Sequence, residues 1–174
     1  MKTNYYNEFR NIRYGILFSL LTLLFGFGLV VTFGVYEEEI LQIFSNKAEY
    51  VSQTIYEGDE AKMQKSVKLA WNHLNNARLH AFSLGTASLT LCVLLAFLSI
   101  NDNMKTIVGF LLGAGALGYA LFWMWLAIRI PGAGSVASAK EPIRIVAQIS
   151  SGACVLGLVS MFIASIQSLF KRHF

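Results

Sequence analysis

The sequence predicts an all-α integral membrane protein: four transmembrane helices, with an extramembrane helical hairpin continuing spans one and two. Three observations carry this. Residues 14–36, 81–100, 106–128 and 145–170 contain no Asp, Glu, Lys or Arg. Charged residues make up only 14% of the 174-residue chain, against about 25% in a soluble domain. Finally, Met63, Val67, Ala70, Leu74, Ala77 and Ala81 recur at alternating steps of four and three. They form one stripe of a 3.6-residue helix that enters the second apolar run without a break.

Residues 1–13 carry Lys2, Arg10 and Arg13 against Glu8, with Tyr5, Tyr6 and Phe9 between them. This is the pattern of a cytoplasmic interfacial segment with aromatic anchors. Span one follows at 14–36. A bilayer needs about 20 apolar residues, and a signal-peptide core only 7–15. The run is too long for a cleaved signal, and no A-x-A site follows, so it is expected to be retained.

Residues 37–80 form the expected hairpin, outside the cytoplasm. Tyr36, Ile40, Phe44, Val51 and Ile55 can share one face of its first arm, with Ile43 and Tyr50 beside them. The strong turn signal is Glu57-Gly58-Asp59-Glu60. The second arm and span two read as one helix from Ala61 to Ile100, about 60 Å long. Lys62, Lys65, Lys68 and Asn72 mark its wet side. Glu37, Glu38 and Glu39 read as a solvated collar facing these lysines rather than as a cation site.

Span two, 81–100, is joined to span three, 106–128, by the polar link 101–105. Span three contains Gly109, Gly113, Gly115 and Gly118. Small residues let helix backbones approach closely in lipid, so these four are expected to pack helices. Trp123 and Trp125 fit an aromatic belt. Residues 129–144 hold two prolines and two glycines and predict an irregular extracytoplasmic loop, with Pro142 opening the last helix. Span four is 145–170, and 171–174 form a cytoplasmic tail.

Lys2, Arg10, Arg13, Lys105, Lys171 and Arg172 flank the spans on one side. Arg78, Arg129, Lys140, Arg144 and the four hairpin lysines lie on the other. These numbers do not decide the orientation. The first span usually dominates, and it starts basic and ends in three glutamates, which puts both termini in the cytoplasm of a bacterial-type inner (plasma) membrane. Cys92 and Cys154 lie deep in apolar runs and read as small buried side chains.

The spans lack the buried ionisable groups that pumps and channels use. No phosphate loop, zinc-protease motif or nucleophile elbow occurs, and the scattered basic residues form no nucleic-acid patch. His73 and His80 are the residues with chemistry to offer. Seven positions apart, they share a helix face, and imidazole ligates haem iron, copper or zinc. They stand about 10 Å apart along the axis, so one metal ion would need ligands from another helix. Arg78, Arg129 and Arg144 should lie at the same depth, able to pair with haem propionates, a quinone head group or lipid phosphate. The stretch Trp71–His80 resembles the helices of small membrane cytochromes over ten residues, without their paired second-helix histidine. It assigns no family.

The expected role is therefore a non-catalytic subunit or scaffold of a membrane assembly. It would dock onto other membrane subunits, or a second copy, through the hairpin and the glycine-lined span three. The alternative is an electron-transfer membrane protein that uses His73 or His80 with haem b or a quinone.

Overall fold

The computed structural model describes residues 5–170. Lys2, Lys171, Arg172 and His173 lie outside the described residues. Within them the fold is helical, with no strand: α1 (Tyr5–Tyr50), α2 (Ser52–Ile55), α3 (Glu60–Ala96), α4 (Asp102–Ala133), α5 (Val136–Lys140), a 3-10 turn (Glu141–Ile143) and α6 (Arg144–Phe170). α1, α3, α4 and the α5–α6 stretch are long and apolar enough to cross a membrane. α1, α3 and α4 all pack on one another, whereas α6 packs chiefly on α4.

The stripe along α3 is where the sequence places it. Ala70, Leu74, Ala77 and Ala81 are buried, and the line continues through Gly85, Ser88, Cys92 and Leu95. The matching line on α1 is Ile12, Gly15, Ser19, Thr22, Gly26, Leu29 and Phe33. Most of these residues are small, so the helices approach closely and gain dispersion contacts along their length. Ser19 and Ser88 meet in this seam, their hydroxyls 2.8 Å apart. A polar pair inside an apolar seam is tolerable because each hydroxyl has a partner.

Beyond Phe33 the α1 pattern changes. Tyr36 has non-helical dihedrals (φ −124°, ψ 26°), and the helix kinks there. The kink resets the phase of the arm. Phe44 is buried and Ile40 and Val51 are half-buried, as expected, but Tyr36, Ile43, Tyr50 and Ile55 are exposed.

α1 and α3 are joined by α2 and a turn in which Glu57 and Gly58 take positive φ (57° and 74°). Asp59 caps α3 by accepting a hydrogen bond from the Lys62 N–H at 3.0 Å. Asp59→Ala is expected to lower stability by about 1 kcal/mol, the usual worth of a cap. Urea or thermal unfolding in detergent checks this. Lys62 also bonds Glu57 at 2.9 Å on the exposed tip. That hydrogen bond, and then the charge of Lys62, hold the Glu57 carboxyl below its ordinary range. The Lys62 ammonium is held above its own range for the same reasons.

Two expectations are corrected at the ends of α4. The helix expected to reach Ile100 stops at Ala96, where the Lys105 ammonium donates to the Ala96 carbonyl at 3.0 Å. Lys105 is therefore not a solvated flank; it is buried and caps α3. The irregular loop expected at 129–144 is mostly helix. Pro131 sits in the last turn of α4, and Gly134 closes it in the left-handed conformation (φ 72°). Ser135 then caps α5 by accepting from Ser138 N. Pro142 lies in the 3-10 turn leading into α6, close to its expected place.

The α4 glycines are consumed within the chain. A Cβ on Gly113 would stand 2.5 Å from the Gly15 carbonyl oxygen, and one on Gly115 would stand 2.8 Å from Cys154 Sγ. Gly118 faces Ser150 of α6, and Gly109 is in ordinary contact with Ile12. Both sides of the glycine ladder are thus covered, by α1 and by α6. It packs helices, but it is not a free surface for a partner.

Candidate functional site

Because α6 rests on α4 without packing extensively on α3, the two outer helices leave a crevice with α4 as its floor. Its volume is about 350 Å³. Tyr119, Phe122, Trp123 and Leu126 of α4 form the floor, and His73 is the α3 wall. Ala147, Gln148 and Ser151 form the α6 wall, and Lys140 and Arg144 stand at the mouth.

The histidines owe their positions to the α3 helix. Seven residues bring His73 and His80 back to one side, as the sequence predicts. What they face is a single indole. The ring of Trp123 lies 5.4 Å from His73, tilted by 30°, and 4.9 Å from His80, stacked at 27°. Tyr119 meets His80 edge-on at 5.2 Å. The His73 ring nitrogen Nδ1 is 2.8 Å from the Leu69 carbonyl, one turn back. That contact puts a proton on Nδ1 and points Nε2 away from the helix backbone. No set of three His, Cys, Asp or Glu side chains gathers to hold a metal ion among the described residues.

The three arginines separate. Arg144 joins His73 at the crevice, with Glu141 at 3.7 Å as an exposed partner. Arg78 lies over the Phe33 ring at 5.8 Å, on the α1 side of α3. Arg129 donates from Nε to the Ala139 carbonyl at 3.2 Å and ties α4 to α5. The three arginines are thus one crevice residue and two structural ties.

Sequence reasoning missed Trp123, Tyr119, Lys140, Gln148 and Ser151 as site residues. A signal for them was present. Lys140, Arg144, Gln148 and Ser151 follow one another at helical steps, a polar line entering the uncharged stretch 145–170. Trp123 also carries the one buried side-chain nitrogen or oxygen without a hydrogen-bond partner among the described residues, its indole Nε1. An unmade bond of this kind costs about 1–3 kcal/mol.

A second cavity, about 600 Å³, opens between the first arm of α1 and the start of α3. Leu41, Ala48, Met63, Val67 and Trp71 give it an apolar floor. Glu37, Glu49 and Glu60 lie on its rim with a single lysine, Lys68. The kink at Tyr36 lies one residue before this groove begins.

Comparison of the chain with protein-family models, curated proteins and solved structures gives no match.

Proposed function

We propose that this protein is a non-catalytic subunit or scaffold of a membrane assembly, held by four spans in a bacterial-type inner membrane with both termini cytoplasmic. The arms of α1 and α3 project on the far side, braced by the end of α4. Docking through the glycines of α4 drops out of this reading, because α1 and α6 cover them.

The observation that carries the proposal is the groove between the arms. It is apolar at the floor and acidic at the rim, and it lies where the uncharged runs have ended. Its occupant is a segment of a partner subunit with a large apolar side chain flanked by Lys or Arg. Charge complementarity at a rim sets which partner is accepted and how fast it arrives.

The test is a photo-crosslinking residue at Met63, activated in native membranes. A residue at Phe162, 67% exposed on α6, is the control. A discrete adduct at Met63, absent at Phe162 and lost with Val67→Glu, supports the proposal. A protein that stays monomeric in mild detergent with no adduct at Met63 refutes it. The haem version of the electron-transfer alternative is decided by absorbance: a Soret band lost in His80→Ala would support it, and a colourless preparation without bound metal would end it.

A further inference from the structure

We propose that the crevice between α3, α4 and α6 is a binding site for the phosphate head of an anionic amphiphile. Three observations meet there. The cavity is concave and mixed in character, with aromatic and aliphatic floor residues and polar groups at one end. Its mouth carries two cations, Lys140 and Arg144, against one carboxylate, Glu141. α3 and α6 make no extensive contact with each other, so the crevice is not closed over between them.

Head group and tail are therefore provided for in the right order. Lys140 and Arg144 are separated by one helical turn and precede the uncharged run 145–170. In the proposed bilayer placement they stand at the depth of the lipid phosphates, within reach of an anionic head group. Arg144 is loosely held: its contact with Glu141 is 3.7 Å, and its side chain is 57% exposed. An incoming phosphate would replace a weak, solvent-screened pair with a charge-assisted hydrogen bond. Gln148 continues the polar line inward, its amide a donor for glycerol or ester oxygens; Ser151 beyond it donates to the Ala147 carbonyl at 2.7 Å. Phe122, Trp123 and Leu126 supply the apolar floor for the start of the chain.

The same phosphate chemistry could come from a lipid or from free phosphate, and the experiment separates them. Native mass spectrometry is run on protein in mild detergent. It is titrated with phosphatidylglycerol, with phosphatidylcholine of the same chains, or with inorganic phosphate. Phosphatidylglycerol is expected to be retained at least tenfold better than phosphatidylcholine. Lys140→Ala/Arg144→Ala should lower that retention about tenfold, the loss of two exposed contacts between a cation and the phosphate. Both side chains are exposed, so the double variant keeps its fold, and an unchanged melting curve verifies this. Glu141→Gln removes the competing carboxylate and should raise retention severalfold. Displacement of the lipid by inorganic phosphate would make free phosphate the ligand; resistance to it would make the lipid the ligand. Equal retention of the two lipids, or retention indifferent to the double variant, overturns the proposal.

Discussion

Gly113→Ala is expected to destabilise the protein by about 3 kcal/mol, the upper end of the range for overpacking a close contact. The added methyl would stand 2.5 Å from the Gly15 carbonyl oxygen, 3.0 Å from Phe18 Cβ and 3.1 Å from Gly15 Cα. Two of these three atoms are backbone, so no side chain can swing aside. α1 and α4 must separate instead. The crossing is reciprocal: a Cβ on Gly15 would meet the Gly109 carbonyl at 2.5 Å and Cys92 Sγ of α3 at 2.7 Å. Three helices touch at this point, beside the core of Ile12, Cys92, Leu95, Val108 and Leu112. Gly28→Ala is the control. Nothing lies within 4 Å of its added methyl, and alanine favours helix over glycine by up to about 1 kcal/mol. The two variants should therefore shift thermal unfolding in detergent in opposite directions. If Gly113→Ala melts with the parent protein, the backbone contact is not there.

Tyr56→Phe should release the tip of the arms from α4. Tyr56 is 2% exposed. Its hydroxyl lies 2.6 Å from the Pro131 carbonyl and 2.7 Å from Ser66 Oγ. One proton serves only one of these. The carbonyl can only accept, so Tyr56 donates to Pro131 and accepts from Ser66. The last carbonyls of a helix have no partner in their own ladder. With Gly134 turning the chain away, the tyrosine satisfies the one on Pro131. Removing the hydroxyl leaves a buried carbonyl unpaired, at a cost of about 1–3 kcal/mol. The loss falls at one end of the molecule. Hydrogen exchange should therefore quicken around residues 52–66 and 128–134 while residues 81–96 keep their protection. Uniform acceleration along α3 would contradict this placement of the bond.

The parts of the fold that rest on a single helix's period were legible in the sequence. The buried side of α3 follows from the spacing of Ala70, Leu74, Ala77 and Ala81, because one unbroken helix carries that spacing unchanged. The first arm was harder to read. A kink at Tyr36 and a second break at Val51 shift the phase: Tyr36 and Tyr50 are left exposed, and Ile55 lies against Gly134 instead of along the face of the arm. The segment 129–144 was misread because Pro131 looks like a breaker. A proline in a last turn removes only one N–H, and the helix runs on past it to Ala133.

The site was half legible. His73 and His80 share a side by arithmetic alone. That their side faces Trp123 depends on how α3 and α4 are staggered, which no local pattern encodes. Arg78 was grouped with Arg129 and Arg144 by depth. At five residues from His73 and two from His80 it points elsewhere on the helix, and it does. Lys140 needed the helical α5 to bring it within one turn of Arg144, and the sequence reading had a loop there.

The attachment of α6 has a consequence for how the molecule is made. The mutual packing of α1, α3 and α4 uses only residues up to 133. A chain emerging from its N-terminus can complete this trio before the last helix leaves the ribosome. α6 then arrives at a finished wall. It seats by setting Ser150 and Cys154 against Gly118 and Gly115 and by latching Ser168 to the Ser99 amide at 3.3 Å. In that order assembly would have two phases, and the seating of α6 would be the step that creates the crevice.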